Sequence, residues 1–314
     1  MKLLVTGACG YTGSVLTQKL IKAGHEVTGW DTQWFGNHTA KEMEPVNIRE
    51  PFKLPEGTEA IIHLAAIAND PSVAFYPRLS WETGVLATMR LCEAALDEGC
   101  TRFIYASSVS VYGADRGMVT EGMALHPLSD YNKTKMCAER VLLSYKHDPL
   151  SYKHGLDIAI IRPATVCGLS PRMRTDVSVN MMAMQALENG VMTVYGGAQM
   201  RPSIHIDDLT DLYEWLLTHD VCGTYNAGFE NMSLLEIAQA VQEIIPSEIE
   251  VTPEKDRRSY QVNSDKLLRT GFTYKKTVRD AIVEIRDAYQ AGTLRADPQW
   301  NNLEWMKALE LSDE

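Results

Sequence analysis

Tyr131 and Lys135 stand four residues apart, so a helix through them carries both on one face. An ammonium beside a phenol favours phenolate and lowers a pKa that is ordinarily about 10. A tyrosine prepared in that way can act as general base toward an alcohol near neutral pH. Upstream, the apolar run Arg102-Phe103-Ile104-Tyr105-Ala106 leads into Ser107, Ser108, Val109 and Ser110. It reads as a buried strand delivering serines at its carboxyl end, where open α/β sheets bind their ligands. A serine there can hydrogen-bond a substrate hydroxyl and the ketone which that hydroxyl becomes.

A third pattern, Gly7-Ala8-Cys9-Gly10-Tyr11-Thr12-Gly13, is a G-x-x-G-x-x-G loop between a buried strand and a helix. Glycine lets the backbone turn sharply and approach a pyrophosphate with no Cβ in the way. The helix start adds free N–H groups and a positive dipole end. Asp31 falls at the end of the next strand, where a carboxylate accepts hydrogen bonds from both ribose hydroxyls and repels a 2′-phosphate. Thr32 and Gln33 bring no positive charge, so NAD is expected rather than NADP.

Positioning these groups takes alternating strands and helices. The hydrophobic pattern predicts strands at 2–6, 26–30, 60–64, 102–106 and 157–162, with helices at 14–23, 81–98 and 131–145. That order implies an α/β fold, a Rossmann-type doubly wound parallel sheet with helices on both faces. Beyond Pro163 the pattern loosens into a smaller C-terminal α/β lobe. Helices are expected at 177–189, 207–218, 233–245 and 277–290, and strands at 192–195 and 203–206. Ser233 with Glu236 forms a capping box. The stretch 246–276 reads as an irregular basic loop and 291–314 as an acidic tail with Trp300 and Trp305. The expected domains are a cofactor-binding unit of residues 1–165, with 201–222 returning to it, and a substrate lobe of 166–200 and 223–290.

Composition sets the outer bounds. The chain has 314 residues, 45% apolar and 23% charged, close to an average globular protein. Its longest apolar run, 60–68, contains His63 and falls far short of the roughly 20 residues of a membrane span. The N-terminus does not read as a signal peptide, so a soluble, cytoplasmic protein without membrane attachment is expected. A net charge of −11 argues against nucleic-acid binding. The six cysteines show no C-x-x-C spacing, so neither a metal site nor a disulfide framework is expected.

On GACGYTG, Asp31, His63-Leu64-Ala65-Ala66, SSVSVYG, YNKTK, Arg162-Pro163-Ala164-Thr165-Val166-Cys167-Gly168, RPSIHIDD, Tyr225-Asn226-Ala227-Gly228 and Arg258-Ser259-Tyr260, the chain resembles the extended short-chain dehydrogenase/reductase family. The resemblance is to its NAD-dependent nucleotide-sugar epimerase/dehydratase branch, UDP-glucose 4-epimerase-like enzymes included, and covers residues 1–290. It implies that Ser108 is the catalytic serine, Tyr131 the base, and Lys135 its partner and a ligand of the nicotinamide ribose. It adds Asn47 and Ile48 at the adenine, and Leu64, Ala65, Ala66 and Pro163 along the cofactor. A nucleotide-diphosphate sugar is the implied substrate, held by Ser108, Val109, Ser110, Tyr131, Asn180 and a set of arginines, Arg172, Arg174, Arg201 and Arg258. Arginine suits a diphosphate because its fork binds two oxygens at once.

Departures from the family pattern narrow the chemistry. Family 4,6-dehydratases place an Asp-Glu pair just after the catalytic Ser/Thr, and 3,5-epimerising relatives a cysteine; here Val109 and Ser110 stand there. What remains is reversible oxidation at one sugar carbon, C4, through a 4-keto intermediate, with net epimerisation. The alternatives are a nucleotide-sugar 4-dehydrogenase/reductase, a dehydratase and, in another class, a non-catalytic NAD-binding regulatory protein. Relatives pair two helices across a two-fold axis, which implies a homodimer with Leu86, Met89, Met136 and Leu143 in the contact.

Overall fold

The computed structural model describes residues 1–146, 155–253 and 259–311. The first half runs β1 (Lys2–Thr6), α1 (Tyr11–Lys22), β2 (Glu26–Asp31), β3 (Glu44–Pro45), β4 (Ala60–His63), α2 (Asp70–Phe75), α3 (Pro77–Trp81), α4 (Ala87–Glu98), β5 (Arg102–Ala106), β6 (Met118–Val119), α5 (Asp130–Ser144) and β7 (Asp157–Pro163). The second half runs β8 (Thr165–Cys167), α6 (Ser178–Asn189), β9 (Val191–Tyr195), β10 (Met200–His205), α7 (Ile206–Thr218), β11 (Gly223–Ala227), β12 (Glu230–Ser233), α8 (Leu234–Ile244), β13 (Glu248–Thr252), β14 (Gln261–Val262), α9 (Asp265–Leu268), α10 (Val278–Gln290) and α11 (Asn302–Ala308).

The expected doubly wound sheet is present. Seven strands lie in the order β11-β7-β5-β4-β1-β2-β3, every neighbouring pair parallel. All four residues of β4 are buried, the continuous apolar run that a strand covered on both faces requires. Strand order reverses beside β1 and β4, and the crevice beyond their carboxyl ends is where the candidate groups gather. The second lobe adds a three-stranded sheet, β12-β10-β8, and the parallel pair β13–β9, packed on α6, α8 and α10.

Four expectations change. The helix expected at 81–98 is interrupted by a π turn, Glu82–Leu86, which inserts an extra residue and turns Thr83 into the cleft. The return to the first domain runs past residue 222, because β11 completes the main sheet beside β7. The stretch 246–276 contains β13, β14 and α9; a short strand against β9 leaves little periodicity to read. The acidic tail is a folded element: Asn301 caps α11 by accepting from the Glu304 amide, and Met306 is buried.

Candidate active site

At one end of a cleft of about 470 Å³, the loop after β1 is built for close approach. Gly7 sits at φ 74°, and a Cβ there would lie 2.7 Å from the Ala65 nitrogen. A Cβ on Gly13 would fall 2.0 Å from the Gly7 oxygen. Gly10 precedes the first turn of α1, which has neither a side-chain cap nor an acidic residue. Its N–H groups and dipole therefore face the cleft without an anion of the chain's own. Asp31 is held by the Cys9 amide (3.0 Å) and the Gln33 amide (2.7 Å), while burial lifts its pKa. Tyr11, Thr12, Asn47, Ile48, Leu64, Ala65, Ala66 and Pro163 line the same space. Glycine cradle, uncapped helix start and fixed carboxylate together fit a dinucleotide.

At the other end, α5 starts at the Ser129 cap, whose hydroxyl accepts from the Asn132 amide, and presents Tyr131 and Lys135 one turn apart. Tyr131 hydrogen-bonds Ser108. The Ser108 hydroxyl in turn meets that of Ser110 at 2.8 Å, and Val109 lies beside them, all three lining the cleft. The lysine does not prepare the phenol as its spacing suggested. Lys135 Nζ donates to the Ala106 carbonyl at 2.7 Å and lies 5.1 Å over the Tyr105 ring. Burial pushes Lys135 down to about 8. Burial, then the charge of Asp70, push Tyr131 up to about 12, with the Ser108 hydrogen bond and Arg174 opposing. The folded chain alone holds the phenol protonated at neutral pH, and a positively charged ligand beside it would favour phenolate.

Behind the serines lies a closed polar network. Arg162, on β7, donates from Nε and Nη2 to both oxygens of Glu139, at 2.8 and 2.6 Å. Glu139 stands one turn beyond Lys135 on α5 and also accepts from Ser107 Oγ at 2.5 Å. Arg162 Nη1 donates to Tyr112 Oη, which donates to Asn226 Oδ1, both at 2.7 Å. The ion pair is buried at both ends and ties α5 to the ends of β5 and β7.

The sugar end differs most from expectation. Arg174 and Arg201 line the cleft; Arg174 is spent on a bidentate pair with Asp176, which also accepts from Asn69. Arg172 lies toward Asp31 and Phe35, at the cofactor end. Asn180 is not a lining residue: it is fully buried, its Nδ2 donating to Tyr11 Oη and the Arg174 carbonyl and its Oδ1 accepting from the Gly168 amide. Cys167 is likewise buried, its thiol raised far above the usual range by burial. Arg258 lies outside the described residues. Sequence reasoning did not single out Asn69, Asp70, Asp176 or the tail residues Asn302 and Met306, all of which line the cleft. Asn69 adopts φ 72° and ψ 155°, a strained region for a residue with a Cβ that costs about 1–3 kcal/mol. Its side chain holds both the start of α2 and Asp176, which explains the strain.

Sequence comparison decides the family. The sequence model described as the NAD dependent epimerase/dehydratase family matches residues 3–228. The chain belongs to that family. The enzyme is 33% identical over 270 residues to a Bacillus subtilis protein named "Uncharacterized UDP-glucose epimerase YtcB", covering 78% of this chain and 82% of that one. It is 28% identical over 294 residues to UDP-glucuronic acid decarboxylase 1 of Danio rerio, covering 85% and 68%. A solved structure of UDP-glucuronic acid 4-epimerase from Bacillus cereus, in complex with UDP-4-deoxy-4-fluoro-glucuronic acid and NAD, matches with a TM-score of 0.81 at 25% identity, over 93% of this chain and 99% of that one. The enzyme is thus an NAD-dependent member of the nucleotide-sugar epimerase/dehydratase superfamily. Among the described residues no helix is long and apolar enough to cross a membrane.

Proposed function

We propose that the enzyme is a nucleotide-sugar 4-epimerase working through a 4-keto sugar. One observation carries the reading. Tyr131, hydrogen-bonded to Ser108, shares one cleft with the dinucleotide loop, while the two residues after Ser108 are Val109 and Ser110, which cannot shuttle the proton of a dehydration. Bound NAD supplies a hydride acceptor that can return the hydride, and a positive ring that favours phenolate. Tyr131 takes the proton of the sugar hydroxyl, and Ser108 donates a hydrogen bond to the same oxygen as it becomes a ketone. Lys135, fixed by Ala106, holds the cofactor ribose beside them. Once the ketone has turned, Tyr131 gives its proton back to the oxygen as the hydride held by NAD comes back to the opposite face, and that change of face inverts the carbon. Arg201 and the Arg174–Asp176 pair face the sugar nucleotide.

The test is turnover of UDP-, GDP-, CDP- and dTDP-sugars with NAD, followed by product mass and absorbance at 340 nm. An isomer of unchanged mass without lasting NADH supports the proposal. Stoichiometric NADH with a product lighter by two hydrogens makes the enzyme a dehydrogenase. Loss of water overturns the argument from Val109 and Ser110 and turns attention to Asp70. Tyr131→Phe should lower turnover about 10²- to 10⁴-fold. We also propose a homodimer through α4, the π turn that leads into it, and α5, where Leu86 (46%) and Leu143 (39%) are exposed. Met136 packs into the core instead, so the stripe is Leu86, Met89 and Leu143.

A further inference from the structure

Arg172 is a buried cation with no anion in ion-pair contact among the described residues, although the charges of Asp176 and Asp31 act on it from farther away. It is 2% exposed, and its guanidinium stacks 3.9 Å over the Phe35 ring. Nη2 donates to Asn302 Oδ1 at 2.6 Å, and Nε has no hydrogen-bond partner. Among the described residues it makes no ion pair, unlike Arg174 two residues on. Burial and the Arg174 charge press it down to about 9, with the charges of Asp176 and Asp31 opposing. A lone buried charge is expensive unless a ligand completes it. Arg172 lines the cleft shared by the uncapped start of α1 and Asp31, so both sets of donors want one anion.

The C-terminal segment holds Arg172 there and fastens to three walls of the cleft. On the first wall, the Trp300 carbonyl accepts from the Thr175 amide at 2.9 Å, beside the Asn302 contact. On the second, Trp305 Nε1 donates to the Trp34 carbonyl at 2.7 Å. On the third, Tyr76 Oη donates to the Met306 carbonyl at 3.1 Å, and the Met306 side chain packs with Ile67, Val73 and Leu79. The segment lies beyond residues 3–228, the part matched by the family.

We propose that residues 298–311 are a strap across the cofactor cleft that seats Arg172 on the pyrophosphate of NAD, so that the dinucleotide is retained between turnovers and exchanges only when the strap lifts. The inference rests on NAD binding and is independent of the sugar or the carbon oxidised, so its test needs no turnover.

Full-length protein loaded with NAD is gel-filtered, and release is timed by competition with 3-acetylpyridine adenine dinucleotide. The same is done for a chain ending at residue 296, for Asn302→Ala, and for Arg172→Gln and Arg172→Lys. The full chain should keep NAD through filtration, and both strap variants should release it at least about tenfold faster. Arg172→Gln should weaken NAD about 10- to 100-fold, as expected for lost charge-assisted hydrogen bonds. Lysine should restore part of that, which a role in packing alone would not. If the shortened chain does not fold, Asn302→Ala and the Arg172 pair decide. Release from the strap variants as slow as from the full chain would overturn the strap. Arg172→Gln that binds NAD normally but loses UDP would move Arg172 to the sugar diphosphate and overturn its assignment.

Discussion

The buried polar groups behind the ends of β5 and β7 and those in front of them face opposite electrostatic conditions. Behind, Arg162 has two oxygens of Glu139 and the Tyr112 hydroxyl, and its pKa rises further despite burial. In front, burial is the leading influence on Arg172, Lys135 and Tyr131 and pushes each toward its uncharged form, to about 9, 8 and 12. The chain completes its charge balance where α5 must be rigid and leaves it incomplete where ligands belong. On the proposed reading the missing charges are the two that NAD would bring: a negative pyrophosphate for Arg172 and a positive nicotinamide for the Tyr131 phenolate.

The sharpest way to break this contrast is to remove one charge from each side. Glu139→Ala strands Arg162 as a buried lone cation and should cost about 3–5 kcal/mol of stability in urea unfolding. Arg172→Met, in cofactor-free protein, removes a cation that is already unpaired and should be neutral or stabilising. Equal losses in the two variants would erase the distinction between a closed and an open network.

A smaller effect separates the lysine from the cofactor as the source of phenolate. The difference in absorbance near 295 nm between wild type and Tyr131→Phe reports the Tyr131 titration. Without NAD the midpoint should lie near 12, and bound NAD should draw it toward neutrality. A midpoint already well below 10 in the NAD-free protein would return the task to Lys135, and one that stays near 12 with NAD bound would overturn the cofactor's part in it.

The same contrast explains what the sequence could reveal. The cofactor end is built from contiguous runs, 7–13 and 64–66, plus one acid at a strand end, and every residue expected there lines the cleft. Their proposed role rests on the backbone, and backbone geometry follows from glycine and strand–helix order. The sugar end is assembled from segments far apart in sequence, where side-chain direction decides. Asn180 and Arg172 carried the right chemistry and point elsewhere: one to the back of Tyr11, the other to Asp31. Asp176 was hidden because its meaning comes from Arg174 and from Asn69, 107 positions away. The tail reads as an acidic end because seven helical residues between loops give too little periodicity to distinguish.

The least perturbing test uses pH alone. Lys135 has a folded pKa of about 8, below the roughly 10.4 of an unfolded lysine. Between those values the unfolded chain binds more protons, so stability should rise with pH, and the penalty of the buried ammonium is fully present only below about pH 8. Tyr131 acts with the opposite sign at higher pH. Its folded value near 12 exceeds the unfolded value of about 10, so the native state keeps a proton the unfolded chain has lost, and its contribution falls as pH rises past 10. Relative to Lys135→Met, cofactor-free wild type should therefore gain on the order of 1–3 kcal/mol between about pH 8 and 10. Arg162, whose pKa is raised, should give no slope in that range. A flat difference between wild type and Lys135→Met in urea midpoints would show that Lys135 keeps its charge at no cost, and would confine the contrast to Arg172.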